Sequence, residues 1–160
     1  MEDIQELKNQ LAELQEKIEK LENKKENKRW RAERGEPYYC ISGEGKLTDS
    51  RERYDAFDDN RYKTRNYFKT EEEAEEYQEK VNIYYDLMDF AEELSKDDPV
   101  DWNNENQEKY FIQYNTDADT IEQEYEYTVK NIGQIYCTDF NYREKAMDKF
   151  GKEKLKKLCM

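Results

Sequence analysis

Residues 38–50 read Tyr-Tyr-Cys-Ile-Ser-Gly-Glu-Gly-Lys-Leu-Thr-Asp-Ser, two short runs separated by a glycine-containing segment. Aromatic and β-branched residues favour strands, and the segment Ser42-Gly43-Glu44-Gly45 is typical of a tight turn. These residues therefore predict a β-hairpin with strands at residues 38–41 and 46–50.

A third strand and a long helix are predicted directly after this hairpin. Asp58-Asp59-Asn60 indicates a turn, and the alternating pattern of residues 61–68 indicates a strand. Thr70 and Glu73 have the spacing of a helix capping box, which predicts a helix over residues 71–94. Its apolar residues form one stripe and, in the C-terminal half, a second: Ala74, Tyr77, Val81, Tyr84, Met88 and Ala91, then Leu87, Phe90 and Leu94. Two stripes predict that this half is covered on both sides.

The second half of the chain echoes the order of these signals. Trp30 lies eight residues before Tyr38, and Trp102 lies eight residues before Tyr110. Two further segments match: Asn66-Tyr67-Phe68-Lys69-Thr70 and Gln134-Ile135-Tyr136-Cys137-Thr138. We interpret the pattern as two diverged copies of one supersecondary unit.

The second copy contains the same classes of element. Its strand candidates are residues 110–114, 122–129 and 134–137. Asn141 and Glu144 repeat the capping box before a last helix. The apolar side of that helix carries Tyr142, Ala146, Met147, Phe150 and Leu158.

The N-terminal arm has the pattern of a coiled coil. Aliphatic residues recur at spacings of three and four over three heptads: Ile4, Leu7, Leu11, Leu14, Ile18 and Leu21. A helix this short is marginal in water on its own, so the seam needs a partner. We expect a parallel homodimer through these six residues. A trimer, or packing of the arm onto the body of the same chain, remains an alternative.

Together these signals predict an α+β protein. A coiled-coil helix at residues 1–29 is followed by two β-strand-rich units, each ending in a helix (β-β-β-α repeated), at residues 30–98 and 99–160. Because the long helix has two apolar stripes, we expect the two units to share one core.

Composition favours a folded protein with an aromatic core. Charged residues make up 42% of the chain and hydrophobic residues 35%, but 14% are aromatic, including 14 tyrosines. Large aromatic side chains bury much apolar surface per residue. No apolar run approaches the roughly 18 residues needed to span a bilayer, and Met1-Glu2-Asp3 does not resemble the basic start of a signal peptide. We therefore expect a protein that stays in the cytoplasm where it is made and does not bind membranes.

Residues for catalysis or metal binding are scarce. The chain has no histidine, which is the commonest general base and metal ligand. It also has no glycine-rich nucleotide-binding motif. Cys40, Cys137 and Cys159 show no CxxC spacing, so free and mostly buried thiols are expected. The sequence predicts no enzyme, no catalytic residue, no cofactor and no metal site.

Negative charge is concentrated in the middle of the chain. Residues 71–127 carry 20 acidic and three basic side chains, a net charge of −17. Such a field repels nucleic acid and attracts basic protein surfaces. The candidate partner-binding residues are Glu71, Glu72, Glu75, Glu76, Glu79, Asp86, Asp89, Glu92 and Glu93. Their carboxylates could occupy the positions of nucleic-acid phosphates in a basic groove of a partner. The alternative is that they form the solvated face of an amphipathic helix.

Aromatic residues suggest a second way of binding a partner. Tyrosine and tryptophan dominate many protein interfaces. The candidates are Trp30, Tyr54, Tyr62, Trp102 and Tyr114, for which core packing is the alternative. The basic residues within 149–157 are interpreted as a cationic helix end that balances the helix dipole.

One region resembles a pattern in small uncharacterised proteins of phages and prophages of low-GC Gram-positive bacteria. The pattern comprises Trp30, Gly35-Glu36, Tyr38-Tyr39-Cys40-Ile41 and the segment from Asn66 to Ala74, and it covers roughly residues 30–80. The second copy keeps only Trp102, Tyr110-Phe111-Ile112 and Thr138.

The resemblance implies a mobile-element source, and short acidic proteins of such elements often disable a host machine, including CRISPR nucleases. We therefore expect a phage-encoded, anti-CRISPR-like inhibitor that binds a host defence nuclease stoichiometrically as an acidic nucleic-acid mimic. The alternative is a dimeric structural or adaptor protein that binds another protein of the element through its aromatic repeats.

Overall fold

The computed structural model describes Leu11, residues 13–15, Lys17 and residues 29–159. The described arm residues are helical, and Leu11 and Leu14 expose 57% and 56% of their surface. The other heptad positions lie outside the described residues: Ile4, Leu7, Ile18 and Leu21. Self-association through the arm therefore stays a prediction.

The described residues confirm the α+β class. Four strands form two separate two-stranded antiparallel sheets, and four helices accompany them. In chain order the elements are β1 (Pro37–Ile41), β2 (Leu47–Arg51), α1 (Ala56–Lys63), α2 (Glu71–Leu94), β3 (Lys109–Asn115), β4 (Thr120–Glu126), α3 (Tyr142–Phe150) and α4 (Lys152–Cys159).

The chain divides into two compact units, the first ending at Glu71 and the second beginning at Glu72. Helix α2 therefore groups with the second unit, whereas the sequence analysis assigned it to residues 30–98. Each unit has its own cluster of buried apolar residues, where the sequence analysis expected one shared core. The second stripe of α2 is covered by elements that follow it in the chain, because Phe90 and Leu94 pack against the core of the second unit.

The first unit contains the predicted hairpin. Strands β1 and β2 pair antiparallel, with Tyr39 opposite Asp49. On its other edge Tyr39 makes a single bridge to Phe68 through two backbone hydrogen bonds of 2.9 Å. The strand predicted at residues 61–68 is therefore reduced to this one bridge.

Helix α1 replaces the predicted turn and the start of the predicted strand. The side chain of Asp55 accepts hydrogen bonds from the backbone N–H groups of Phe57 and Asp58, which is a normal helix N-cap. Inside the helix, the buried Asp58 carboxylate accepts a 2.6 Å hydrogen bond from the Tyr38 hydroxyl. The acidic residues taken for a turn thus start the helix and tie it to β1.

Tyrosine rings make up much of the core of the first unit. Tyr38 and Tyr67 are buried and stack with their ring centroids 3.9 Å apart. The ring of Tyr62 meets the ring of Tyr67 edge-on, with the centroids 5.5 Å apart, and the centroid of the Trp30 ring lies 5.8 Å from that of Tyr67. Edge-to-face and offset contacts of this kind add to the energy of apolar burial.

The second unit has the same arrangement of strands. Strands β3 and β4 pair antiparallel with Tyr110 opposite Tyr125. On its other edge Tyr110 makes one bridge to Cys137, with hydrogen bonds of 2.7 and 2.8 Å. The strand predicted at residues 134–137 is again reduced to a single bridge.

Three helices complete the core of the second unit. The predicted bounds of α2 are confirmed, and the buried core residues are Leu87, Ala91, Tyr110, Ile112, Ile121, Cys137, Tyr142, Ala146 and Leu155. The predicted last helix is broken at Gly151, whose φ of 77° favours glycine, and becomes α3 and α4. The predicted cap at Asn141 makes no side-chain hydrogen bond. Gln123 Oε1 instead accepts from the backbone N–H of Arg143, at 2.8 Å.

Candidate protein-binding surfaces

All nine acidic residues proposed for partner binding lie on α2 and are exposed. We call them the acidic face. Six share one side of the helix because an α-helix repeats every 3.6 residues: Glu71, Glu75, Glu79, Asp86, Asp89 and Glu93. From first to last, this row extends for about 33 Å at about 1.5 Å per residue.

Part of the acidic face is neutralised by lysines of the same chain. Lys157 of α4 contacts Glu79 at 2.6 Å, and Lys154 lies 3.5 Å from Asp86. Within α2, Lys80 pairs with Glu76 at 3.0 Å. The basic segment predicted to balance a helix dipole therefore also pairs with α2.

The turn between β3 and β4 receives two other lysines of α4. Lys152 and Lys156 contact the two carboxylate oxygens of Asp119 at 2.7 and 2.8 Å. Hydrogen bonds from Lys152, Lys156 and the Tyr114 hydroxyl hold the pKa of Asp119 well below its usual range. The lysines of α4 are thus engaged within the second unit.

Beyond Glu71 at the first position of α2, four carboxylates of the acidic face make no ion pair within the described part of the chain. They are Glu75, Asp89, Glu92 and Glu93, and all four are exposed. Exposed carboxylates without a lysine or arginine partner keep their full charge for an incoming basic group. These four are the residues of the acidic face best able to contact a partner.

The five aromatic residues singled out in the sequence have mixed positions. Trp30 and Tyr62 pack against Tyr67, as described above. The ring centroids of Trp102 and Tyr136 lie 4.9 Å apart. The hydroxyl of Tyr114 donates a hydrogen bond to the carboxylate of Asp119. Among these five candidates, Tyr54 is the most exposed, at 48%. Most of this set therefore supports the fold.

A different group of aromatic side chains is exposed at the end of the second sheet. Tyr125, Tyr127 and Phe140 expose 50%, 38% and 72% of their surface. Tyr110 lies between two of them, with ring centroids 6.1 Å from Tyr125 and 5.7 Å from Phe140. The carboxylate of Glu108 accepts hydrogen bonds from the hydroxyls of Tyr110 and Tyr127. We call these five residues the aromatic surface.

Sequence reasoning missed the aromatic surface, although one signal was present. In the run Glu-Tyr-Glu-Tyr at residues 124–127, the two tyrosines must point to the same side of a strand. Their exposure depends on which helices cover the sheet, and the sequence does not contain that information.

Buried charges in both units are paired with polar groups. In the first unit, the Glu52 carboxylate is bonded by Arg31 at 2.9 and 3.1 Å and by the Tyr67 hydroxyl at 2.6 Å. Burial raises the pKa of Glu52, but these bonds and one from the Tyr54 backbone outweigh it and lower the pKa to about 2. The Glu52 carboxylate therefore stays charged and structural at neutral pH.

In the second unit the fully buried cation is Lys109. Its ammonium donates to the backbone carbonyls of Asn104, Gln107 and Tyr127 at 2.8–2.9 Å. It also lies 5.3 Å from the centroid of the Trp102 ring. All three ammonium hydrogens are thus used in hydrogen bonds within the unit.

The second unit contains a pair of adjoining grooves. Their volumes are about 340 and 360 Å³, and Tyr84, Gln134 and Ile135 line both. The charged residues that line them are Glu92, Lys96 and Lys130. The grooves can accept an apolar group. Ser95 also lines one of them, but its hydroxyl donates to Cys137 Sγ and accepts from the backbone N–H of Thr138, so it is engaged within the fold.

Side-chain groups that could hold a metal ion are lacking in the part of the chain that the structure describes. No three of its cysteine, aspartate and glutamate residues are placed to hold a metal ion. Cys40 and Cys137 are free and buried, as predicted. No helix formed by the described residues has the length and apolar character needed to cross a membrane.

No protein-family model, no curated protein and no solved structure matches this chain.

Proposed function

We propose that this protein binds a basic surface of another protein through the acidic face of α2. The observation that carries the proposal is the exposed row of carboxylates along α2, in which Glu75, Asp89, Glu92 and Glu93 have no ion pair within the described residues. The surrounding segment, residues 71–127, has a net charge of −17. A field of this sign and size accelerates encounters with cationic grooves.

The charge density favours mimicry of a single nucleic-acid strand over mimicry of a duplex. The nine carboxylates span about 33 Å, or one charge per about 4 Å of helix. A duplex carries one charge per about 1.7 Å of its axis, and one strand carries one per about 3.4 Å. The acidic face therefore approaches the density of one strand before its internal ion pairs are considered.

The target class we propose is a host defence nuclease, so the protein would act as a phage-encoded, anti-CRISPR-like inhibitor. A channel that holds a guide or a displaced strand is lined with basic side chains, and a stoichiometric acidic competitor can occupy it. The resemblance of residues 30–80 to small phage and prophage proteins supports this choice of target. The inhibitor itself would bind no nucleic acid.

A second candidate function is a structural or adaptor protein of a mobile element. The observation in its favour is the aromatic surface, because exposed clustered aromatics mark protein interfaces. In this case the coiled coil would set the number of copies and the partner would be a protein of the same element.

We further propose that the two units are diverged copies and that the arm makes the chain a homodimer. Corresponding contacts in both units support the duplication. Tyr39 and Tyr110 each lie opposite a residue of their hairpin's second strand on one edge, and on the other edge each makes two backbone hydrogen bonds to one bridge residue. The residue before each bridge residue is a tyrosine that contacts the tryptophan of its unit: Tyr67 with Trp30, and Tyr136 with Trp102.

The test compares two variants with the same loss of charge. One neutralises the unpaired carboxylates of the acidic face: Glu75→Gln, Asp89→Asn, Glu92→Gln and Glu93→Gln. The control neutralises four exposed acidic residues elsewhere: Asp49→Asn, Glu105→Gln, Asp117→Asn and Glu153→Gln. The tagged proteins are incubated with nuclease-treated lysate of a low-GC Gram-positive host that carries its defence systems, and bound proteins are identified by mass spectrometry.

We expect the wild type and the control to capture a defence nuclease and to inhibit its cleavage, and the acidic-face variant to do neither. Binding should weaken steeply as ionic strength rises, because exposed charges are screened. Equal capture by both variants would contradict the acidic-face proposal. Recovery of element-encoded proteins alone would favour the adaptor.

A further inference from the structure

The aromatic surface is an exposed apolar area at the end of a sheet whose core-facing residues are buried. Tyr110, Ile112 and Ile121 on the same face of this sheet are 6%, 7% and 2% exposed. Phe140, in contrast, exposes 72% of its surface beside the ring of Tyr110. Exposed aromatic groups of this kind usually mark an interaction site.

The backbone that carries Phe140 is held in place. Gln123 of β4 donates from its Nε2 to the carbonyl of Phe140 at 2.8 Å, and its Oε1 accepts from the N–H of Arg143 at 2.8 Å. Arg143 in turn donates to the carbonyl of Ile121. The exposed ring is thus presented by a fixed chain segment.

The carboxylate at the centre of the aromatic surface is also fixed. Glu108 accepts hydrogen bonds from the hydroxyls of Tyr110 and Tyr127, and Tyr127 meets Tyr125 edge-on at 5.5 Å. Burial and the neighbouring Glu108 raise the pKa of Tyr110 to about 12, so its hydroxyl stays protonated as a donor. Electron-rich rings therefore surround a carboxylate of defined position.

The segment that carries Glu108, Tyr110, Tyr125 and Tyr127 is negatively charged, and the exposed Arg143 near Phe140 donates from its Nε to the carbonyl of Ile121. Residues 99–127 contain eight acidic side chains and one basic side chain, Lys109, which is buried and occupied by three carbonyls. Glu124 and Glu126 flank the ring of Tyr125 in the sequence. An incoming cation therefore meets aromatic faces and carboxylates without competition from an exposed lysine or arginine of this segment.

We propose that the aromatic surface binds arginine side chains of a basic partner segment. The rings of Tyr125 and Phe140 offer faces for the guanidinium plane, and the Glu108 carboxylate offers acceptor oxygens. Arginine suits this combination better than lysine, because its planar group stacks on rings and is more weakly hydrated. The inference rests on the proposed function in one respect, namely that the partner is basic.

The test uses a short synthetic peptide of alternating glycine and arginine as the probe. Matched peptides carry lysine or the neutral analogue citrulline in place of arginine. Each is titrated into the full-length protein by calorimetry, and the ring-proton resonances of Tyr125 and Phe140 are followed by NMR. The variant Tyr125→Leu/Phe140→Leu keeps apolar side chains at both positions but removes the aromatic faces. The control Tyr85→Leu/Phe57→Leu changes an equally matched pair that is 55% and 77% exposed.

We expect the arginine peptide to bind about tenfold more weakly to Tyr125→Leu/Phe140→Leu than to the wild type, in line with the strength of cation–π contacts. The control should bind as the wild type does, the lysine peptide should bind more weakly, and the citrulline peptide should bind least. Equal affinity for arginine and citrulline would overturn the inference in favour of uncharged docking. An unchanged affinity in the aromatic variant would overturn it as well.

The acidic-face variant separates this inference from the proposed function. It should lower the affinity for arginine and lysine peptides by similar factors, because it changes only the long-range field. If the aromatic variant binds the arginine peptide normally while the acidic-face variant loses nuclease capture, the arginine site is refuted and the proposed function stands. If the acidic-face variant captures the nuclease normally while the aromatic variant loses the arginine peptide, the acidic-face proposal is refuted and the arginine site stands.

Discussion

Asn66 replaces a neighbouring strand for Ile41, because its side chain bonds to both backbone groups of that residue. The N–H of Ile41 donates to Asn66 Oδ1 at 2.6 Å, and Asn66 Nδ2 donates to the carbonyl of Ile41 at 2.6 Å. In the second unit Gln134 makes half of this arrangement, since its Nε2 donates to the carbonyl of Ile112 at 2.8 Å. The two amides thus complete the sheet edges to different extents.

This difference predicts unequal costs for the same substitution. We expect Asn66→Ala to destabilise the first unit by about 2 kcal/mol, since it leaves a donor and an acceptor without partners, and Gln134→Ala to cost about 1 kcal/mol. Urea denaturation followed by circular dichroism measures both values. Equal costs would contradict the role assigned to the second hydrogen bond of Asn66.

Acid should weaken the first unit through Glu52. The folded-state pKa of Glu52, about 2, lies below the ordinary value of 4.5, so the stability it contributes is present above about pH 4.5. That contribution is lost as pH falls from there toward 2. Thermal unfolding measured from pH 7 to pH 2 should therefore show a decline that Glu52→Gln largely lacks.

At neutral pH, Glu52→Gln should destabilise the first unit by about 3 kcal/mol, because Arg31 and the Tyr67 hydroxyl lose the carboxylate that they share and Arg31 keeps only its ion pair with Asp59. The control Glu44→Gln removes an exposed ion pair with Lys46 and should cost less than about 0.5 kcal/mol. Similar costs for the two variants would show that burial does not strengthen the Glu52 pair.

The ammonium of Lys109 should be essential to the second unit. We expect Lys109→Met to cost about 2–3 kcal/mol, because three carbonyls lose their charged donor. Lys130→Met is the matched control, since Lys130 is exposed and lies 5.8 Å from the centroid of the same Trp102 ring. Chemical denaturation that gives equal stabilities for both variants would refute this role.

The ion pairs between α4 and α2 should contribute a small, salt-dependent stability. We expect Lys154→Gln/Lys157→Gln to lower the free energy of unfolding by less than about 1 kcal/mol at low salt. The difference should vanish at about 1 M salt, where charges are screened beyond about 3 Å. A loss that persists at high salt would point to packing of the lysine stems instead.

The heptad pattern of the arm predicts that the protein is a dimer in solution. Deletion of residues 1–28 should convert a dimer to a monomer while the two units stay folded, because the heptad seam is removed. Light scattering gives the mass, and circular dichroism reports the remaining structure. A truncated protein that is still dimeric would assign self-association to another surface.

The sequence predicted those elements whose own residues determine them. The first hairpin follows from its aromatic and β-branched run and its glycine-containing turn, and the strands of the second follow from the composition of residues 110–114 and 122–129. Helix α2 follows from its 3.6-residue period. Helix α1 was missed because Asp58 reads as a turn residue, yet it is buried under the Tyr38 hydroxyl, a contact between distant parts of the chain. The third strands were overpredicted because Phe68 and Cys137 each make only one bridge.

For the candidate surfaces too, local sequence patterns predicted some features, and others depend on tertiary packing. Exposure of the acidic face follows from helical spacing, so all nine residues were placed correctly on the solvent side of α2. Which of them are neutralised depends on where α4 packs, and the exposure of Phe140 depends on the hydrogen bonds of Gln123. Both depend on the packed tertiary structure.

The distribution of tryptophan gives each unit an optical label of its own. Trp30 and Trp102 are the chain's two tryptophans, and each touches a tyrosine of its own unit. With Trp102→Phe the indole emission reports on the first unit, and with Trp30→Phe it reports on the second. Separate emission midpoints in urea would mean that the protein can lose one unit while it keeps the other, so that a partner held by the second unit survives the unfolding of the first.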